Sequence, residues 1–275
     1  MSDPITVTQV RFLSAPEVDQ VATLELAATL YHPAVQPSRL FPGLVVGHGA
    51  GSRRKRHDSF CREACRQGFI VLALDFRGHG ESDGSGDGPL ELDVLAAADV
   101  LRRQPGVDGT KLCYRGSSLG GFYGLKAAPD ADFAALALLC PAGEQTILEA
   151  LDDLEGGPTD AGKSSRDPTK VDPEDDPPRW NTGRLRSYFE KQSSELLAAR
   201  VKCPVLLVHA REDDVVPLTH SLLLARCLST ETTLLALQGG THTTAQHDPR
   251  IHSYSAAWLL AKATGSKFTE HIGRT

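Results

Sequence analysis

The chain has 275 residues, 40% of them hydrophobic, with 29 basic against 35 acidic side chains and a formal net charge of −6. That size and apolar content suit one large α/β domain carrying an insertion better than two equal domains. The net acidity excludes nucleic acid as the main partner, because a phosphate-binding surface needs a clear cationic excess.

Two β-rich runs open the chain, Thr6 to Phe12 and Val21 to Tyr31, separated by Ser14-Ala15-Pro16-Glu17; they read as an antiparallel hairpin at one sheet edge. The grammar then changes to strand, helix, strand, which means parallel pairing. A strand at Gly43–Gly47 is followed by a helix over about Arg54 to Gln67, a strand at Phe69–Leu74 and a helix near Leu90 to Arg103. The run Arg53-Arg54-Lys55-Arg56 is expected to be a solvated helix start. The apolar approach Leu112-Cys113-Tyr114 enters Gly116-Ser117-Ser118-Leu119-Gly120 and a helix to about Ala128, and the strand Phe133–Leu139 ends at Pro141.

Between Gly143 and about Arg200 the alternation stops. Two helices, Gln145 to Leu154 and Leu185 to Ala199, bracket a loop rich in Pro, Asp and Gly that cannot form a helix or central strand. The chain is therefore expected to divide into a core of 1–142 and 201–275 and a cap insertion of 143–200. The rhythm resumes with a strand at Pro204–Val208, a helix at Leu218–Leu228, a strand at Thr233–Leu237 and a closing helix near His252 to Ala263. The N-terminus shows no basic region followed by an apolar run and no stretch is long enough to cross a bilayer, so a cytoplasmic location with no membrane span is expected. The six cysteines lack the dense framework of a small secreted domain. Cys61 and Cys65 lie one helical turn apart, but no Cys/His pair of matching spacing completes a metal site, so packing is expected and no metal.

The chemistry centres on Ser118. An apolar strand running into Gly-x-Ser-x-Gly fits a sharp turn into a helix, with Ser118 at its apex and small residues where strand and helix approach. Ser117 cannot take that role, since Arg115 and Leu119 would then occupy the small positions. A serine hydroxyl needs a base and an acid to orient that base. Both stand downstream in order: carboxylates in Arg211-Glu212-Asp213-Asp214-Val215-Val216-Pro217, and His242 after Gly239-Gly240-Thr241. Both loops follow the carboxyl ends of strands, where ligand-facing groups collect in parallel sheets.

These pieces, with His48-Gly49-Ala50-Gly51 and Asp75-Phe76-Arg77-Gly78-His79-Gly80-Glu81-Ser82, resemble the α/β-hydrolase superfamily over nearly the whole chain outside the insertion. The run Asp-Phe-Arg-Gly-His-Gly looks most like dienelactone-hydrolase-type and cinnamoyl or feruloyl esterase-like members. The resemblance implies the α/β-hydrolase fold, a mostly parallel sheet with an N-terminal antiparallel hairpin and helices on both faces. It implies Asp213 rather than Asp214 as the acid, and an oxyanion hole from the backbone N–H groups of Leu119 and Ala50. Three positions depart from the common pattern: Ser117, the charged Arg115 in the elbow strand, and Ala210. Asp75 is expected to be structural, paired with Arg77 or nearby loop amides.

The expected activity is a serine hydrolase cleaving a small or medium carboxylic ester through an acyl-enzyme on Ser118, with Asp213 and His242 and no cofactor. The insertion is expected to cover the site, with His48, Trp180 and Tyr188 near the substrate. A thioesterase, an aminopeptidase-like enzyme or a C–C bond hydrolase uses the same three residues, and a hydrolase-fold ligand-binding protein is the non-enzyme alternative. A peptidase is expected to place carboxylates in its pocket to hold a substrate amine, so the acidic insertion leaves that option open. A homodimer is left open.

Overall fold

The computed structural model describes residues 5–14, 23–34, 40–155 and 178–268. Eight strands form one sheet: β1 (Ile5–Ser14), β2 (Leu24–Pro33), β3 (Phe41–Gly47), β4 (Ile70–Leu74), β5 (Val107–Ser117), β6 (Ala135–Leu139), β7 (Val205–Ala210) and β8 (Thr232–Leu237). Their order is β1-β2-β4-β3-β5-β6-β7-β8, with β1–β2 and β2–β4 antiparallel and every later pair parallel. The expected antiparallel edge and parallel body are both present. β4, β6 and β7 are buried along their whole length, which explains why they read as continuous apolar runs instead of alternating ones.

Alternation along β5 divides the core into two layers. Leu112 and Tyr114 pack toward α2 (Glu91–Arg102) and α3 (Leu119–Ala131), beside Ala97, Leu101, Phe122 and Leu125. Cys113 packs the other way, in the layer of α1 (Asp58–Gln67) and α9 (Pro249–Thr264), with Phe60, Ala64 and Trp258. A side-chain period of two sends neighbouring residues of one strand into opposite layers.

Two helical expectations change. The helix read at Leu185 to Ala199 is two, α5 (Thr182–Phe189) and α6 (Ser194–Ala199), because Ser193 takes an extended conformation and its side chain accepts from the Leu196 N–H. His242, read as a loop residue, opens a short helix, α8 (His242–His247), whose start Thr241 and Thr244 cap reciprocally. The remaining helices are α4 (Glu144–Glu155) and α7 (Leu218–Cys227). The Pro- and Asp-rich loop at 156–177 lies outside the described residues. No helix among the described residues is long and apolar enough to cross a membrane.

The basic run at 53–56 is not simply a solvated helix start. Arg54 begins a single 3-10 turn, is 2% exposed and pairs with the buried Asp75, which also accepts from the Arg54 and Glu81 N–H groups at 2.6 and 3.0 Å. Asp75 is thus structural, with Arg54 as its partner. Arg77 pairs instead with Asp93, 2.6 Å away, both fully buried.

Candidate active site

Ser118 joins β5 to α3 with φ 50 and ψ −117, a left-handed conformation that a non-glycine residue adopts only when its surroundings enforce it. The enforcement is visible in the backbone. The Ser118 N–H donates to Leu139 O at 2.9 Å and its carbonyl accepts from Ala142 N at 3.0 Å, so β6 and the chain after it hold both sides of the turn. The flanking glycines are required by contact: a Cβ at Gly116 would lie 2.4 Å from Gly120 O, and one at Gly120 would lie 2.5 Å from His48 O. Ser117 is fully buried with its hydroxyl unpartnered, whereas Ser118 is partly exposed in a cleft.

β7 delivers the carboxylate. One oxygen of Asp213 accepts from the Val215 and Val216 N–H groups at 2.9 and 2.8 Å, and the other accepts from His242 Nδ1 at 2.7 Å. Burial by itself would raise the Asp213 carboxyl, but the His242 hydrogen bond and charge and the Val216 amide outweigh it and hold the group at about 2. Donation from Nδ1 leaves the His242 Nε2 lone pair free to accept a proton. Asp214 is exposed. The hydrogen bonds of the described residues do not include one between Ser118 Oγ and His242, a contact that often tightens only when substrate binds.

Behind the pair, His209 sits fully buried, its Nε2–H donating to Val216 O at 2.8 Å and its Nδ1 accepting from Ser221 Oγ at 2.7 Å. Burial pushes its pKa down, so it supports the acid loop as a neutral group. Cys140, at φ 43 just after β6, places its thiol within 4.8 Å of the Asp213 and His242 ligand atoms. This is the one trio of metal-ligating side chains found among the described residues, and its Asp213 and His242 atoms already bond each other. The signal in the sequence for Cys140 was its place at the carboxyl end of a strand.

Ser118 opens into a cleft. α4 and the segment through α5 supply Ile147, Leu151, Leu154, Trp180, Leu185 and Phe189, while Ala50 and Leu119 lie at its floor beside Ser118. The Leu119 N–H, first in α3, has no acceptor within its own helix. No charged side chain lines the cleft among the described residues.

Two of the three residues expected near the substrate do not line this cleft. His48 is fully buried: its Nε2 accepts from Phe76 N–H at 3.1 Å and its Nδ1 donates to Gly49 O at 2.7 Å, so it braces the loop carrying Ala50. Tyr188 turns inward, donating to Glu91 at 2.8 Å under the Lys126 ammonium, and its neighbour Phe189 faces the cleft instead. Trp180 lines the cleft and stands edge-on to His79 with ring centroids 5.9 Å apart.

Comparison with known proteins agrees with this geometry. Residues 42–250 match the family described as serine aminopeptidase, S33. Monoacylglycerol lipase of Mycolicibacterium smegmatis is 26% identical over 233 residues, covering 75% of this chain and 82% of the lipase. The human mitochondrial palmitoyl-protein thioesterase ABHD10 is 26% identical over 251 residues, covering 86% of this chain and 74% of that protein. Among solved structures, Est1E from Butyrivibrio proteoclasticus with ferulic acid bound is similar with a TM-score of 0.69 at 22% identity, over 88% of this chain and 97% of that one, a likeness of fold. The chain is a hydrolase of the α/β-hydrolase fold and belongs to the serine aminopeptidase S33 family.

Proposed function

We propose that the protein is a serine carboxylesterase acting on neutral esters with an apolar acyl part. The observation that carries this reading is the strained Ser118 opening into a cleft whose described lining is apolar and uncharged, on the same strand-end rim as a His242 held by a buried Asp213. Ser118 Oγ attacks the ester carbonyl while His242 Nε2 takes its proton, and Asp213 keeps the imidazole in the Nδ1–H tautomer and stabilises the imidazolium. The Leu119 and Ala50 N–H groups receive the oxyanion. Collapse of the tetrahedral intermediate sends the His242 proton to the leaving alcohol, and water repeats the cycle on the acyl-enzyme.

Residues 143–200 act in this scheme as a cap on the core of 1–142 and 201–275. Their described part is anchored in a way that supports a fixed wall: Asp87 accepts from the Asn181 N–H at 2.7 Å and from two nitrogens of Arg184, and Gly86 N–H donates to Arg179 O at 2.7 Å. Among the described residues the lining supplies no carboxylate to hold a substrate ammonium, which favours an ester over an aminopeptidase substrate. A thioesterase with the same residues is the second reading, favoured by the similarity to ABHD10 and by the same lining.

A fluorophosphonate probe is expected to label the wild type and the Ser117→Ala variant but not Ser118→Ala, and only Ser118→Ala should lose turnover. Asp213→Asn is expected to lower kcat by roughly 10⁴-fold through the wrong histidine tautomer, with Asp214→Asn near wild type. Equal losses at 117 and 118 would sink the assignment. Matched oxygen and thio esters of varied acyl length separate the two readings, and faster turnover of a substrate bearing a free ammonium would overturn both.

A further inference from the structure

Arg115, which departs from the common pattern of the elbow strand, is fully buried three residues before Ser118. It points into the α1/α9 layer, and no carboxylate among the described residues contributes to its environment; burial lowers its pKa to about 10. Its guanidinium lies 3.9 Å from the centroid of the Phe60 ring, and NH1 donates to His57 Nδ1 at 3.4 Å. NH2 donates to the Gln246 carbonyl at 2.8 Å, while Nε has no partner. A buried cation without a counter-charge is costly, and an apolar side chain would fill the same volume without that cost.

The Gln246 carbonyl explains the placement. Gln246 belongs to the last turn of α8, where carbonyls have no acceptor role left inside the helix and need outside donors. This carbonyl receives two, Arg115 NH2 and His252 Nε2–H, the latter at 3.1 Å from α9. The first residue of the same helix is His242. α8 is six residues long, about 9 Å at 1.5 Å per residue, so it moves as one rigid piece. Its start is held by the Thr241–Thr244 caps and the Asp213 hydrogen bond, and its end by Arg115 together with His252. A helix pinned at both ends holds its imidazole fixed, while losing one of the two donors at the far end loosens it about Thr241.

We propose that Arg115 is a positioning residue for the hydrolytic step: through the Gln246 carbonyl it holds the helix presenting His242 in fixed relation to the strand presenting Ser118. This rests on the serine-hydrolase reading above. Arginine suits the task where lysine or an apolar residue does not. Its planar group stacks on Phe60 while its edge donates to a carbonyl on a different element, and it stays charged at every working pH. His57, His247 and His252 surround it, His57 and His247 stacked with centroids 5.5 Å apart. All three are held neutral by burial and by Arg115 itself, so no second cation competes for the Gln246 carbonyl.

The test compares Arg115→Met and Arg115→Lys with wild type, all assayed well below their melting temperatures. The readouts are kcat and KM on one reactive ester and the second-order rate of fluorophosphonate labelling. Arg115→Met is expected to lower kcat and the labelling rate together by roughly 10- to 100-fold, as for a catalytic base displaced by about 1 Å, with KM within about twofold. Arg115→Lys, which reaches the carbonyl without stacking, should recover part of both. His252→Phe removes the other donor to the same carbonyl and should lower both rates a few-fold. A lowered melting temperature with unchanged kcat and labelling rate in the folded variants makes Arg115 merely structural and overturns the proposal. If Arg115→Met does not fold, the Lys and His252→Phe variants decide on the same criterion. Failure of Ser118 labelling in the wild type would instead remove the hydrolase reading itself, a result the Arg115 variants cannot mimic.

Discussion

The loop after β4 and the layer behind the elbow both bury arginine side chains, and they accommodate the charge in different ways. There Asp75 pairs with Arg54 of the 3-10 turn after β3, and Arg77 pairs with Asp93, each ion pair inaccessible to water, and Ser14 adds a hydrogen bond to Asp93 at 2.7 Å. Behind the elbow, Arg115 faces an aromatic ring, a helix-end carbonyl and neutral histidines, with no carboxylate among the described residues. The first arrangement is a closed structural brace that loses badly if either partner is removed. The second leaves no orphaned anion when the arginine is removed, but it constrains every titratable neighbour to remain neutral.

The sharpest separation comes from breaking each arrangement. Asp93→Leu strands the buried Arg77 guanidinium and is expected to cost about 3–5 kcal/mol in urea unfolding, with the double variant Arg77→Met/Asp93→Leu recovering most of it. Arg115→Met removes one hydrogen bond from a carbonyl that keeps His252, and should cost about 1–2 kcal/mol. Equal costs at the two sites would erase the distinction.

Acid exposes the second arrangement next. His247 and His252 are pushed down to about 4, and His57 well below its usual value, by burial first and the Arg115 charge second. A depressed histidine is neutral in the folded state, while the unfolded chain takes up the proton near pH 6.5. The stability is therefore complete above about pH 6.5 and falls as pH drops from there toward 4. Each such histidine steepens the loss by about 1.4 kcal/mol per pH unit, so His57→Gln should flatten the fall in melting temperature between pH 6.5 and 4.5. An unchanged slope in that variant would show that His57 protonates freely in the folded protein.

Weaker still is the tie between the β4 loop and α5. Asp87→Asn keeps one acceptor but loses the charge facing Arg184, whose side chain is 57% exposed, and should cost about 1 kcal/mol while raising KM by loosening the Leu185 and Phe189 wall. No change in KM would detach that wall from substrate binding. At the bottom of the range, Lys55→Ala breaks an exposed pair with Glu81 and should shift stability by less than about 0.5 kcal/mol. A larger shift would mean that Glu81, which also contacts Arg54, belongs to the buried brace.

Much of this molecule was readable along the chain, for reasons that are local. The continuous apolar runs of β4, β6 and β7 announced fully buried strands, and the Ser118 frame was legible because two close backbone approaches demand glycine at 116 and 120. The order of Ser118, the 211–217 loop and His242 at strand ends marked the rim, because a parallel sheet brings successive carboxyl ends to one side. What the chain could not show is which side chain meets which across the fold. Asp75 stands two residues from Arg77 and bonds Arg54; Tyr188 and Phe189 look interchangeable in sequence, yet one turns to Glu91 and the other to the cleft. Arg115 looked like a misplaced charge because its partner carbonyl lies 131 residues away, in a six-residue helix with too few periodic positions to be recognised. Local patterns record the backbone's needs, which recur within a turn or two. The partners of buried polar groups are chosen by packing between distant elements, and only the folded chain states them.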